Sequence, residues 1–316
     1  MAEETAPTGD PFRRDRSVRP GVAETVAPGV RRVVAPNPSP MTFTGTASYL
    51  VGEGELAVID PGPRDWRHLA ALRDAIGEAR VTAILVTHTH LDHSPNARLL
   101  ADATGAPALA FGSHGAGMSD RMRALAEAGL DLGGGEGADV AFHPDRVLAD
   151  GESVAGSGWR LTALHTPGHL SNHLCFALEG TGVVFTGDHV MGWATTMVSP
   201  PEGDMAAFLA SLARLADRDD RLYLPGHGPP VEDPAGMLAW QRAHRARRER
   251  QILEALAEGP ADAGALVRRL YADVDETLWP AARRTVLAHL LALQETGAVA
   301  AQGMLSAEAA FALAGR

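Results

Sequence analysis

The segment THTHLDHS, residues 87–94, places three histidines and an aspartate within six positions, directly after the apolar run VTAILV. These four side chains are His88, His90, Asp92 and His93. Because side chains two positions apart at a strand end point the same way, they can meet at a common ion. Without an ion, packing them together would leave buried polar groups unsatisfied. The segment therefore predicts a metal site at the end of a buried strand.

Three further metal donors follow later apolar runs, each at or beside a glycine that lets the backbone turn sharply. TPGH ends at His169, FTGD ends at Asp188 and LPGH ends at His227. We predict one site from His88, His90 and His169, a second from Asp92, His93 and His227, and a bridging role for Asp188. Imidazole with carboxylate suits two divalent ions, with zinc favoured and iron or manganese left open.

Apolar periodicity predicts an α/β fold in which helices cover β-sheets. The helical pattern WRHLAALRDAIGEA precedes the strand VTAILVT, and the helix PNARLLADAT precedes the strand PALAF. This alternation is typical of layered α/β architecture. The stretch 112–150 interrupts it with a glycine cluster and one predicted helix, SDRMRALAEAG. We predict a mobile insertion over the metal site there.

The composition also predicts how the chain divides. Residues 1–25 are polar and lack periodicity, which predicts a flexible arm. The main α/β domain is predicted over residues 26–232. Residues 233–300 are predicted to form three amphipathic helices and a small hairpin, as in a winged helix, and residues 301–316 a C-terminal tail.

Charge and apolar content limit the classes of partner. The formal net charge is -11 and all 28 basic residues are arginine, so long-range repulsion disfavours nucleic acid. No apolar run is long enough to span a membrane, and the first residues lack the apolar segment of a secretion signal. The sequence thus predicts a cytoplasmic protein without a membrane partner. The single cysteine, Cys175, is predicted to be a buried core residue.

The order THTHLDHS, TPGH, TGDH and PGHG resembles the metallo-β-lactamase superfamily, whose fold is an αβ/βα sandwich. GTASYLVG, AVIDPGP, HTPGHLSNH and the winged-helix-like extension are similar to its β-lactamase-like protein 2 subfamily, known in animals as an endoribonuclease. The resemblance covers roughly residues 26–300. It implies the same ligand roles for the seven donors, position by position.

The resemblance also implies roles for residues beside the metals. Asp60 would orient a ligand histidine, and Asp92 would orient the metal-bridging hydroxide and take its proton. His173 is predicted to donate a hydrogen bond to the substrate or intermediate. One departure is that Ala47 and Ser48 stand where the family usually has Asn and Thr, which removes an amide that could touch substrate.

These residues predict a hydrolase in which a metal-bridging hydroxide attacks an ester, thioester or lactone carbonyl of a small molecule. The alternative is a single-strand endoribonuclease or phosphodiesterase, suggested by the subfamily and by the arginines at 242, 245, 247, 248 and 250. A di-iron redox protein would need a flavin partner, and a DNA-binding regulator would leave the donors without purpose. We predict that the C-terminal helices narrow the cleft or mediate a homodimer.

Overall fold

Two β-sheets form the centre of the molecule, in a computed structural model that describes residues 9–129, 132 and 137–315. The first sheet runs in chain order as β1 (Glu24–Ala27), β2 (Val30–Val34), β3 (Ala47–Gly52), β4 (Glu55–Ile59), β5 (Arg80–Leu85), β6 (Ala108–Ala110) and β7 (Arg146–Val147). The second contains β8 (Ser153–Gly156), β9 (Trp159–His165), β10 (Leu174–Leu178), β11 (Val183–Gly187) and β12 (Leu222–Pro225). Strands β4 to β7 pair in parallel, as do β11 and β12, and the other neighbours in these sheets are antiparallel.

The helices of the described residues lie outside the two sheets or follow them in the chain. They are α1 (Trp66–Ile76), α2 (Asn96–Thr104), α3 (Asp120–Glu127), α4 (Met205–Ala216), α5 (Pro234–Ala257), α6 (Ala263–Leu270) and α7 (Trp279–Glu295). Among the described residues, none of these helices is both long and apolar enough to cross a membrane.

Apolar layers on both faces of each sheet hold this arrangement together. Between the sheets, Leu85 packs in one cluster with Phe176 and Phe185. On the outer faces, Leu72 of α1 packs against the first sheet and Phe208 of α4 against the second. Strand β10 is buried along its whole length because it is covered on both sides, and this includes Cys175, as predicted. The predicted αβ/βα sandwich is confirmed.

The C-terminal helices and a short hairpin form a second apolar core. Leu266, Leu290 and Phe311 pack together in it, and β13 (Val299–Gln302) pairs antiparallel with β14 (Ala310–Leu313). The predicted boundary at residue 300 therefore falls inside β13, and the predicted tail contains β14. The reason is that Phe311 is fully buried and the hairpin must close to bury it.

The N-terminal segment, residues 9–23, packs against the body of the protein. The Phe12 ring meets the Trp240 ring edge-on with centroids 5.0 Å apart, and Trp240 Nε1 donates to the Gly9 carbonyl. Arg13 pairs with Glu232 at 2.8 Å. From residue 9 onward the segment thus has contact partners on α5 and in the loop before it, and its flexibility stays a prediction. Residues 1–8 of the predicted arm lie outside the described residues.

Described residues of the stretch 112–150 contact both the donor loop and the C-terminal helices. Its predicted helix is confirmed as α3, which Ser119 caps by accepting from Met122 N. Met122 packs into the C-terminal core, and Leu91 N donates to the Gly137 carbonyl. The stretch thus connects the donor loop to the helical region. Residues 133–136 of the glycine cluster lie outside the described residues, and the mobility stays a prediction.

Candidate metal centre

The predicted donors converge at one edge of the sandwich, where strands end. The loop between β5 and α2 carries His88, His90, Asp92 and His93, and the loop between β9 and β10 carries His169. Asp188 directly follows β11, and His227 lies two residues after β12. Each donor therefore follows a strand that is largely buried, which fixes where the loop after the strand begins.

The donors form two groups that contain the predicted residues. The first consists of His88, His90, His169 and Asp188, and the second of Asp92, His93 and His227, with ligand atoms within 4.8 Å of one another in each group. Asp188 reaches the second group as well, because its Oδ2 lies 3.3 Å from His227 Nε2 and its Oδ1 lies 3.5 Å from His93 Nε2. Asp188 therefore stands between the two groups, as a bridging carboxylate would.

The two groups differ in their electrostatics. Burial and neighbouring histidines lower the pKa of His88 far below its usual value, and burial lowers that of His90 to about 3. These rings are thus neutral, which is the form that binds a metal. Burial also opposes protonation of His227, but Asp188 and Asp92 outweigh it and raise the pKa to about 10. The carboxylates of Asp92 and Asp188 therefore stabilise positive charge at this edge of the sandwich.

The donor chemistry fits divalent metal ions. His90 Nδ1 lies 2.9 Å from His88 Nε2 and 3.1 Å from His169 Nε2, so three ring nitrogens face one point. Asp188 Oδ1 is buried and has no hydrogen-bond partner among the described residues. Neutral imidazoles with buried carboxylate oxygens form the ligand set that divalent transition metals prefer. The residues present therefore fit divalent metal ions.

Asp60 supports the second group from behind. It directly follows β4 and has a positive φ of 48°, which a short polar side chain tolerates better than most. Its Oδ1 accepts from Thr87 N at 2.7 Å and its Oδ2 lies 2.9 Å from His93 Nδ1. Asp60 thus holds the His93 ring with Nε2 directed at the other donors, as its predicted role requires.

Other donors are oriented by backbone carbonyls. His169 Nδ1 lies 2.8 Å from the Met197 carbonyl, and His227 Nδ1 lies 3.3 Å from the Gly45 carbonyl. With Nδ1 engaged in each ring, Nε2 is left for a metal. The loop around Met197 carries no metal donor itself, but it positions the donor His169.

Two residues that support Asp92 were not predicted as site residues. Thr46 Oγ1 donates to Asp92 Oδ2 at 2.9 Å, and Asn37 Nδ2 donates in turn to Thr46 Oγ1 at 3.0 Å. Thr46 lies in the quoted motif GTASYLVG, which could have pointed to it. Asn37 lies in the turn-rich stretch APNPSP, where nothing in the pattern distinguishes it from an ordinary turn residue.

His173 does not reach the cleft, so its predicted hydrogen bond to substrate is wrong. The ring is fully buried, and its Nδ1 lies 2.9 Å from Thr166 Oγ1. Its Nε2 accepts from the Asp188 backbone N–H at 3.2 Å. Because both ring nitrogens are engaged within the protein, His173 has no donor left for a ligand. It holds the backbone of Asp188 instead.

Ala47, where the family usually has an asparagine, also lies away from the cleft. Its side chain is buried in the apolar layer between the two sheets. The missing amide therefore removes no contact from the cleft, contrary to our expectation.

A cavity of about 580 Å³ leads from the donors to the C-terminal helices and the N-terminal segment. His169 and Asp188 lie at its inner end. Its walls are mainly apolar and include Phe12, Phe43, Met191, Trp193, Tyr271 and Leu278. Because α5, α7 and the residues between α6 and α7 contribute to these walls, the C-terminal helices narrow the cleft.

Comparison with known families identifies both parts of the chain. Residues 41–227 match the metallo-beta-lactamase superfamily, and residues 263–306 match the beta-lactamase associated winged helix domain. The beta-lactamase-like protein 2 homolog of Drosophila melanogaster is 31% identical over 276 residues, which cover 85% of this chain and 88% of that protein. The atrochrysone carboxyl ACP thioesterase of Aspergillus fumigatus is 32% identical over 74% of this chain. The match spans 66% of that enzyme's length.

Solved structures show the same architecture over nearly the whole chain. A beta-lactamase domain protein from Burkholderia ambifaria superposes with a TM-score of 0.77 at 26% identity, covering 94% of this chain and 96% of that one. A metallo-beta-lactamase family protein from Thermus thermophilus gives a TM-score of 0.72 at 28% identity, with 92% and 100% covered. The two family matches agree with the fold and with the donor geometry. The chain therefore belongs to the metallo-beta-lactamase superfamily, as a metallo-hydrolase with an associated winged helix domain.

Proposed function

We propose that this protein is a thioesterase that uses two divalent metal ions to hydrolyse acyl thioesters of small molecules. Zinc is the metal we favour for both ions. Esters and lactones present the same carbonyl chemistry and are the nearest alternatives. The observation that carries the proposal is a largely apolar cavity whose inner end is formed by His169 and Asp188. The similarity to enzymes named as acyl carrier protein thioesterases supports the same substrate class.

Each donor group has a role in this proposal. His88, His90 and His169 would hold one ion, Asp92, His93 and His227 would hold the other, and Asp188 would serve both. When bound, such ions lower the pKa of water towards 7 and polarise the oxygen under attack. Iron and manganese suit the same donors, and metal analysis of the purified protein distinguishes the three.

Asp92 is the residue we propose for handling the proton of the attacking water. Its side chain is 26% exposed, whereas those of His93 and His227 are buried. The hydrogen bond from Thr46 fixes one of its carboxylate oxygens. A carboxylate held in this way can orient a water molecule and accept its proton, which contributes about 10²- to 10⁴-fold to a rate.

The apolar walls would bind the acyl chain and exclude water from it. Phe43 and Trp193 stack with centroids 4.9 Å apart beside the donors. Burying methylene groups against such a surface contributes about 0.8 kcal/mol each. Binding energy of this kind rises with the number of methylene groups in the acyl chain.

The arginine-rich run QRAHRARRER does not support the alternative nuclease activity. The arginines of QRAHRARRER do not form one surface, because Arg242, Arg247 and Arg250 are exposed while Arg245 is buried. A single-strand site needs a continuous basic groove with stacking platforms. The cytoplasmic location and the homodimer stay predictions, which cell fractionation and sedimentation would test.

The proposed function is tested with metal-loaded protein on an acyl thioester, a lactone, a phosphodiester and single-stranded RNA. We expect the thioester to be hydrolysed fastest and Asp92→Ala to lower that rate by about 10²- to 10⁴-fold. Asp102→Asn is the matched control, since Asp102 is an exposed carboxylate paired with Arg98 on α2. Faster cleavage of the phosphodiester or RNA, or full thioester activity in Asp92→Ala, would refute the proposal.

A further inference from the structure

The cleft carries a charge opposite to that of the protein as a whole. The chain has a net charge of -11, yet among the described residues Asp188 is the one acidic side chain that lines the cavity. Four arginines line it: Arg14, Arg16, Arg245 and Arg248. With Asp188 turned towards the metal donors, the part of the cleft away from the donors is positively charged.

Three of these arginines have no carboxylate partner within the part of the chain that the structure describes. Arg14 pairs with Asp10 at 2.6 Å and is thereby neutralised. Arg16 lies over the Phe43 ring at 4.5 Å, without an ion pair. Arg245 and Arg248, one helical turn apart on α5, also lack an ion pair.

Arg245 and Arg248 are held by contacts that leave their charge uncompensated. Arg245 is 2% exposed, lies over the Phe208 ring and donates to the Thr196 carbonyl. Arg248 lies 4.0 Å from the Tyr271 ring centroid and donates to the Leu270 carbonyl at 3.0 Å. In both, Nε is buried and has no hydrogen-bond acceptor among the described residues. A buried cation without a counter-ion is costly, and an anion placed against it offsets that cost.

The four arginines and the metal donors lie in different segments of the chain. The family models match residues 41–227 and 263–306, and all four arginines lie outside both. All seven metal donors lie within residues 41–227, whereas the charged wall comes from the N-terminal segment and α5.

We propose that Arg16, Arg245 and Arg248 form an anion subsite that binds a negatively charged group of the substrate while its thioester lies at the metal donors. The inference rests on the proposed thioesterase function and narrows its substrate class to anionic thioesters. The anionic group is either a carboxylate on the acyl part or a phosphate on the thiol part. Arginine binds both by charge-assisted hydrogen bonds.

Four thioesters of matched acyl length test the subsite on the metal-loaded protein. Pentanoyl and 4-carboxybutanoyl groups are each joined to N-acetylcysteamine, which is uncharged, or to coenzyme A, which carries phosphates. We expect one anionic position to lower KM by about 10- to 100-fold relative to the neutral thioester. The 4-carboxybutanoyl arm identifies an acyl carboxylate as the recognised group, and the coenzyme A arm identifies the phosphates.

Arginine variants identify the side chains that cause the KM difference between neutral and anionic thioesters. In Arg248→Gln and Arg16→Gln the KM ratio between neutral and anionic substrates should fall by about tenfold. Arg247→Gln is the control, because Arg247 is exposed on the same helix and does not line the cavity. Arg16 lies on the exposed N-terminal segment, so its variant avoids the packing that Arg248 makes with Tyr271. Equal KM values for all four substrates, or a preference that survives in both variants, would overturn the proposal.

Binding of thioethers, which cannot be hydrolysed, separates this inference from the proposed function. The S-pentyl and S-(4-carboxybutyl) thioethers of N-acetylcysteamine and of coenzyme A are titrated against fluorescence of Trp193 and Trp240, both of which line the cavity. Tighter binding of the anionic thioethers without thioester hydrolysis supports the subsite and rejects the thioesterase. Hydrolysis with equal binding of all thioethers supports the thioesterase and rejects the subsite.

Discussion

The two ends of the cleft are built in different ways. At the inner end, the donors follow strands of the sandwich, and hydrogen bonds such as that between His93 Nδ1 and Asp60 hold individual rings. At the outer end, the walls come from the N-terminal segment, α5 and the residues around α7, and they are held mainly by ring stacking and apolar contact. On the proposed function, the donors of the inner end would supply the reaction and the elements of the outer end would supply selectivity. Changes at the inner end should therefore act on metal and rate, and changes at the outer end on substrate affinity.

The largest effect is expected for Asp188→Asn, because Asp188 contacts both donor groups. The amide keeps the shape but removes the negative charge that two ions would share. We expect the loss of at least one bound ion per chain and a fall in activity greater than the roughly 10- to 100-fold typical of residues that only support a ligand. Elemental analysis and initial rates measure both. An Asp188→Asn protein with its full metal content would contradict the assignment of metal binding to the inner end of the cleft.

Asp60→Asn should have a smaller effect at the same end. It weakens the hydrogen bond that orients His93, without removing a ligand. We expect metal affinity at the second group to fall by about 10- to 100-fold. Competition with a chromophoric chelator gives the affinity, and Asp102→Asn again serves as control. Unchanged affinity would mean that Asp60 acts only in the turn after β4.

At the outer end, Leu278→Ala should change affinity alone. Leu278 lines the cavity and is 38% exposed, so its loss removes contact with an acyl chain at little cost to folding. We expect KM for long acyl thioesters to rise a few-fold, since each lost methylene contact is worth about 0.8 kcal/mol. kcat should stay the same. Met304→Ala, at an apolar position that is 85% exposed in the hairpin, is the control. A fall in kcat with constant KM would contradict the assignment of this wall to binding.

A change of pH should act on stability and leave the charge of the outer wall unchanged. Burial and the nearby Arg245 and Arg248 hold the pKa of His244 at about 3, so the outer wall gains no charge from this ring on mild acidification. Below about pH 6.5 the unfolded chain protonates this histidine and the folded protein does not, so stability is lost as pH falls from 6.5 towards 3. In His244→Gln, the free energy of unfolding of the metal-loaded protein should fall less steeply between pH 6.5 and 4. An equally steep fall would show that His244 titrates normally.

The same contrast explains what the sequence could predict. The seven donors were predictable because each lies at the end of an apolar strand, within a short motif whose spacing is local. The strand pattern predicted α/β layers, and the family resemblance implied their arrangement as a sandwich. For Asp60, the motif was read together with the resemblance, and the contact with His93 agrees with it.

The remaining features depend on contacts between distant parts of the chain. The Phe12 ring contacts the Trp240 ring, and Asn37 is linked to Asp92 by hydrogen bonds through Thr46. Neither contact can be predicted from the periodicity of the sequence. His173 lies in a donor-rich motif, yet β10 turns its ring into the interior, so its role was predicted wrongly. The arginines of α5 looked like one basic run, although the helix directs Arg245 inward and Arg247 outward.

Metal titration of the chelator-treated protein tests the central claim most directly. The initial rate of hydrolysis of pentanoyl-N-acetylcysteamine is measured as zinc is added to the metal-free chain. The seven donors in two groups predict negligible activity without metal and a rate that rises until two equivalents are bound, then stays constant. Full hydrolysis by the metal-free chain, or a rate that does not change with added metal, would contradict the account.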